Sequence, residues 1–137
     1  MSTANQRHNF QTILYLDENL CDCKKILEIL EKHGFPYERH LKHFARGTVD
    51  EEWFPLPASN GWAVLTKDKA LRYSPLERDQ IIRHGLKIFA YSSGNMAAAE
   101  MAALLERHLR KIDRVARAWP PPFVAAIRST GINRRTL

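Results

Sequence analysis

A chain of 137 residues, 45% hydrophobic and 26% charged, is long enough for one well-packed domain and too short for two ordinary ones. No apolar run approaches the roughly 20 residues needed to span a bilayer, and the opening MSTANQRHNF has no apolar signal core, so a cytoplasmic protein with no membrane partner is expected. The formal charge of +6 is uneven: Arg107, Arg110, Lys111, Arg114, Arg117, Arg128, Arg134 and Arg135 are set against a single acid, Asp113, which suits either a polyanion such as nucleic acid or an ordinary solvated helix face.

Taken in chain order, the stretch Thr12 to Leu20, TILYLDENL, holds strand formers that stop abruptly at Asp17, Glu18 and Asn19, as a buried parallel strand would. Leu20, Cys23, Leu27 and Leu30 then repeat at helical spacing and predict a helix from Leu20 to His33, ended by Gly34 in a left-handed conformation. Cys21 and Cys23 are too close for a mutual disulfide and too few for zinc; they read as reduced, with Cys23 packed inward. Phe35 to Leu41 reads as a short second strand and Lys42 to Gly47 as a basic loop. His40 and His43, with no visible partner pair for a metal, are expected at surface or loop positions. Thr48-Val49-Asp50-Glu51 has the form of a capping box and predicts a turn of helix from Val49, kept short by Pro55 and Pro57.

After a turn at Asn60-Gly61, Trp62 to Thr66 forms a third predicted strand ending in Lys67 and Asp68. Ser74-Pro75-Leu76-Glu77 is a second capping box, opening a helix that stops at Gly85. Leu86 to Tyr91 is the fourth strand, followed by a polar turn in which Asn95 is placed to cap the last helix. That helix, Met96 to Trp119, buries a stripe of Met101, Leu104, Leu105, Leu109, Ile112 and Val115, carries basic residues on another face, and ends at three prolines. Phe123 to Arg128 reads as a final edge strand and Gly131 to Leu137 as a basic tail, while Trp53, Trp62 and Trp119 fill the core or its rim. Strands alternating with helices imply a small α/β sheet covered on both faces.

Asp17 and Asp68 end predicted strands, and Asp50 opens the turn before the strand that leads to Asp68. Strand-terminal residues of neighbouring parallel strands converge at one edge. Three carboxylates there repel one another, and at least one has a raised pKa unless a cation binds. A divalent cation removes that penalty, lowers the pKa of a bound water and stabilises charge on a phosphoryl oxygen. With the Thr66 hydroxyl between them, such acids suit phosphodiester hydrolysis; for Asp17 and Asn19 the alternative is a helix N-cap. Lys67, Lys69 and Arg72 are placed either to hold a phosphate or to be solvated, and Ser92, Ser93 and Asn95 either to join the same edge or to cap a helix.

On these residues the chain resembles the PIN-like domains, in particular the compact branch related to VapC-type toxin ribonucleases. The resemblance rests on YLDEN (Tyr15 to Asn19), TVDEEW (Thr48 to Trp53) and GWAVLTKDK (Gly61 to Lys69), and runs from about residue 12 to residue 128. Asp17 and Asn19 match the acid after the family's first strand, Asp50 the acid before a later strand, and Thr66-Lys67-Asp68 the Thr-x-Asp that ends it. It departs in one place: the family's helical Glu has no recognisable counterpart among Glu28, Glu31 and Glu38.

The resemblance implies a PIN-like three-layer sandwich, with a small, mostly parallel central sheet flanked by helices. It implies one domain over residues 1–137, with a core at about 12–128 and a basic tail at 129–137. It implies a metal-dependent endoribonuclease in which Asp17, Asp50 and Asp68 hold Mg²⁺ or Mn²⁺, Glu18 or Glu51 substitutes for the missing Glu, and Thr66, Lys67, Lys69, Arg72, Ser92 and Asn95 face the substrate. RNA as substrate, attracted by the basic helix and tail, an antitoxin protein that restrains the enzyme, and a homodimer follow from the same likeness. Two other readings stand beside it: a non-catalytic PIN-like module that binds nucleic acid or protein, and a receiver-like or phosphatase domain, against which Asn19 replaces a needed second Asp.

Overall fold

The computed structural model describes residues 9–68 and 74–137. Its strands are β1 (Leu14–Leu16), β2 (Tyr37–Arg39), β3 (Ala63–Thr66), β4 (Lys87–Tyr91), β5 (Phe123–Arg128) and β6 (Gly131–Arg135), joined in one sheet in the order β2-β1-β3-β4-β5-β6. All neighbours are parallel except β5 and β6, so this is an α/β fold with a mostly parallel central sheet. The inner strands read LYL, AVLT and KIFAY, nearly continuous apolar runs, because both faces of the sheet are covered.

The two faces follow from the alternation of side chains along each strand. Leu14, Leu16, Leu65, Phe89, Phe123 and Ala125 point to one face, where α1 (Lys24–His33) and the long α5 (Ala98–Ala118) pack through Ile26, Leu30, Leu105 and Leu109. Tyr15, Val64, Ile88, Ala90 and Val124 point to the other, under Trp53 of α2 (Asp50–Trp53), Phe54, and Ile81 of α4 (Pro75–His84), with α3 (Pro55–Asn60) beside them. Two helical layers therefore sandwich the sheet. Among the described residues no helix is long and apolar enough to cross a membrane.

Several local expectations are corrected. The first helix begins at Lys24 instead of Leu20, because residues 18–22 form a separate turn hung on Asp17. Cys23, the N-cap, packs against the core as expected but stays half-buried, and Cys21 is the fully buried cysteine. Neither capping box forms: Val49 and Ser74 cap without side-chain bonds, and the Thr48 hydroxyl donates instead to the Ala45 carbonyl at 2.7 Å. Asn95 does not cap α5, whose N-cap is Ala97; its own N–H donates to Ser93 Oγ at 3.2 Å. His40 is buried, since the short 3₁₀ turn His40–Lys42 tucks it against Tyr15, Phe44 and Trp53. The expected basic tail is β6, and β5 is consequently an interior strand.

Asp113, in the middle of α5, ties the chain entering β1 to the helical layer. Its side chain is fully buried, and its Oδ1 accepts the N–H groups of Thr12 at 2.8 Å and Gln11 at 3.1 Å, while Arg117 lies 3.2 Å from Oδ2. Burial works to raise the Asp113 pKa, but these donors and Arg117 outweigh it and hold the carboxyl below its ordinary value. The unfolded chain therefore binds the proton first. The carboxylate contributes its full stability above the ordinary Asp range near 3.9, and that contribution is lost as pH falls through the depressed folded value. Asp113→Ala is expected to lower unfolding stability at pH 7 by about 2–4 kcal/mol, read by urea titration, and to flatten the loss of stability below about pH 4.

Candidate functional site

Strand order and direction locate the site before any side chain is considered. From β1 the chain leaves through α1 to β2 on one side, whereas from β3 it leaves through α4 to β4 on the other. The carboxyl ends of β1 and β3 therefore flank a topological switch point, the position at which open α/β sheets bind ligands. Leu16 pairs with Leu65 in parallel register, which puts Asp17 level with Thr66. Tyr15 and Val64 share the face carrying α2 and α4, and one strand step further Asp17 and Thr66 return to it.

The contacts follow this register. The Thr66 hydroxyl donates to Asp17 Oδ2 and accepts the Asp68 N–H at 2.9 Å, so one hydroxyl couples both acids. Asp17 Oδ1 accepts the Leu20 N–H at 3.2 Å, so Asp17 also heads the turn before α1; the cap reading and the site reading both describe it. Asp50 opens α2, where Trp53 Nε1 donates to its Oδ1 at 2.9 Å. Trp53 is itself wedged by stacking on Tyr15, ring centres 5.4 Å apart, and the Tyr15 hydroxyl hydrogen-bonds His40 Nδ1 at 2.6 Å. Burial raises the Tyr15 pKa and lowers that of His40, so this aromatic support under Asp50 is neutral at physiological pH.

Asp17, Glu18, Asn19, Thr48, Asp50, Trp53 and Asp68 line one cleft of about 160 Å³. Asp17 is 5% exposed, and burial, reinforced by the charge of Asp68, raises its pKa to about 6 against the pull of Thr66 and nearby N–H groups. Glu18 lines the cleft but is held by the Gly47 N–H at 2.9 Å. Glu51 turns to a neighbouring cleft, where Gln80 Nε2 donates to it at 3.3 Å. Lys67 is half-buried beside Asp68 without lining the acid cleft, and Lys69 and Arg72 lie outside the described residues. Ser92 and Asn95 follow β4 at the same sheet edge but are likewise not in the cleft. Gly94 between them passes the Lys67 carbonyl closely, where a Cβ would sit at 3.5 Å.

A further acid, Glu77, was not singled out from sequence, where it reads as the last member of a capping box. In the structure its carboxyl hydrogen-bonds Asp50, and that bond, with burial and the charges of Asp50, Asp68 and Glu51, raises its pKa to about 8. Its Oε2 is buried without a donor. Two carboxyl groups in such contact require a proton or a cation between them. Among the described residues no three His, Cys, Asp or Glu side chains close into a ready metal cage. The set is nevertheless all-oxygen, with raised carboxyl pKa values and one orphaned buried oxygen, and so fits a hard divalent cation.

Comparison with known proteins places the chain in a family. Residues 13–93, more than half of the chain, match the PIN like domain family, and the chain belongs to that family. A curated relative from Mycobacterium tuberculosis (strain ATCC 25618 / H37Rv), "Putative ribonuclease VapC45", is 26% identical over 125 residues, covering 88% of this chain and 89% of its own. No solved structure matches this chain.

Because the raised carboxyl pKa values belong to the folded state, the folded protein binds more protons than the unfolded chain between the ordinary Glu value near 4.3 and about 8. Stability contributed by the Glu77 carboxyl therefore falls as pH rises across that window. Glu77→Gln, whose amide donates to Asp50 at every pH, is expected to show a higher Tm than wild type at pH 8 and a flatter Tm profile from pH 5 to 8 in metal-free buffer.

Proposed function

We propose that this protein is a metal-dependent endoribonuclease of the PIN type. The observation that carries the reading is the convergence of Asp17 and Asp68 on one Thr66 hydroxyl at the sheet's switch point, with Asp50 across the same cleft. The name of the mycobacterial relative, a ribonuclease, supports RNA as the substrate.

Asp17, Asp50, Asp68 and Glu77 are the residues that would hold Mg²⁺ or Mn²⁺, with Glu18 at the rim of the cleft. When bound, such an ion lowers the pKa of a coordinated water and stabilises negative charge on a phosphoryl oxygen. Thr66 fixes the rotamer of Asp17 and, through the Asp68 N–H, the backbone that carries the second acid. Trp53 Nε1 holds Asp50 by Oδ1, and the Asp50 carboxyl also hydrogen-bonds Glu77. The Glu77 carboxyl stores a proton against Asp50 near neutral pH, so the empty site carries less charge than its four acids would suggest.

The same likeness supports a toxin whose activity a cognate antitoxin protein restrains, and a homodimer as the working unit. The competing reading is a non-catalytic PIN-like module that binds nucleic acid or protein; the acids' failure to close into a cage among the described residues favours it. An assay separates the two. Wild-type protein with Mn²⁺ or Mg²⁺ is expected to cut single-stranded RNA, and Asp17→Asn or Asp68→Asn to reduce cutting by at least about 100-fold, the scale of removing a principal charge-stabilising group. Cutting that survives both substitutions would remove these acids from the chemistry, and RNA binding without cutting under either metal would favour the module.

A further inference from the structure

Arg107, Arg110, Arg114 and Arg117 lie exposed along α5, but not all of them are available to a ligand. Arg107 of α5 donates to the Ser129 carbonyl at 3.1 Å, and Arg117 lies 3.2 Å from Asp113, so two members of that stripe are occupied holding the fold together. A different set of arginines shares a cleft. Arg78 of α4, Arg128 at the end of β5, and Arg134 and Arg135 of β6 line a cleft of about 700 Å³, together with Thr130, Asn133 and Thr136. Among the described residues no acidic side chain lines it.

Strand register explains why these residues meet. β6 pairs antiparallel with β5, Val124 opposite Arg135, Ala126 opposite Asn133 and Arg128 opposite Gly131. Val124 faces the α2–α4 layer, so Arg135, Asn133 and Arg128 share that face, and Arg78 projects over it from α4. Arg134 points to the opposite face, with its guanidinium 5.3 Å from the Trp119 ring centre, and still reaches the cleft from the sheet edge. The acid site lies on this same face. Glu77 contacts Asp50, and Arg78 is the next residue, so α4 links the acids to the arginines within one step of chain.

We propose that this cleft is the binding track for the phosphodiester backbone of a single-stranded nucleic acid whose scissile phosphate lies at the acid site. The proposal rests on the nuclease reading for the acid site. Guanidinium groups bind phosphate oxygens in a planar, two-pronged way, and Asn133, Thr130 and Thr136 add neutral donors beside them. Among the described residues the lining offers guanidinium, amide and hydroxyl donors and no aromatic ring, a set that addresses the backbone in preference to the bases. The track also answers an electrostatic problem: four acids alone would repel a polyanion, and the adjoining arginines provide the attraction that brings it to them.

The test is fluorescence anisotropy with a short labelled single-stranded RNA in EDTA, across a salt series, so that no cleavage occurs. Arg78→Ala/Arg128→Ala, both exposed positions, is expected to weaken binding roughly tenfold at low salt and to make the log–log salt slope shallower by about 1.4, for two lost phosphate contacts. Arg110→Ala/Arg114→Ala on α5 is expected to change neither by more than about twofold. The proposal is overturned if the first variant binds like wild type, if wild type does not bind, or if polyglutamate displaces the RNA as well as unlabelled RNA does. Binding with the expected slope change in a protein that never cuts upholds the track while removing the nuclease reading; cutting with an unchanged slope removes the track alone.

Discussion

The parallel, in-register pairing of β1 with β3 is the constraint on which the rest depends. Leu16 opposite Leu65 forces Asp17 level with Thr66, and the pleat sends both side chains to the face covered by α2 and α4. A slip of one residue would turn Asp17 into the opposite, apolar layer, among Leu14, Leu16 and Leu65 and away from Thr66. The apolar runs on both strands hold the register, because each slip would exchange every buried contact on both faces. The hydrogen bonds of Thr66 are thus a consequence of packing, and the site is as rigid as the core beneath it.

That rigidity maintains an unfavourable arrangement. Asp17 is buried beside Asp68, and Glu77 hydrogen-bonds Asp50, so Asp17 and Glu77 carry pKa values displaced upward toward or past neutrality. Elsewhere the same fold treats a buried acid in the opposite way: Asp113 receives two backbone N–H groups and an arginine, and its pKa falls. The contrast distinguishes an acid that stabilises the fold from acids that are held against one another. Clustered carboxylates with raised pKa values at a switch point mark a candidate functional site on physical grounds.

Much of this is legible in the sequence, and what is not has identifiable causes. The nearly continuous apolar runs, the glycine stops at Gly34 and Gly85, and the acids after β1 and β3 place the inner strands, α1, α4 and the first and last of the three expected carboxylates. Glu77 is hidden because Ser-Pro-Leu-Glu is locally a good helix start, and only tertiary contact shows its carboxyl turned to Asp50 instead of Ser74. β6 is hidden because GINRR is polar, and an edge strand needs only one apolar face, here Ile132. Neither His40 nor Asp113 reads as buried, since the partners that make burial tolerable, Tyr15 and the backbone of Gln11 and Thr12, lie far away in sequence.

Titration of the Asp17 carboxyl carbon by NMR reports whether the β1–β3 register holds this acid buried among other carboxylates and whether the proposed cation relieves it. A midpoint of about 6 is expected without metal. Mg²⁺ is expected to move this midpoint down toward or below the ordinary Asp value near 3.9. A midpoint near 4 that Mg²⁺ leaves unchanged would mean that Asp17 is neither strained by its surroundings nor part of a cation site.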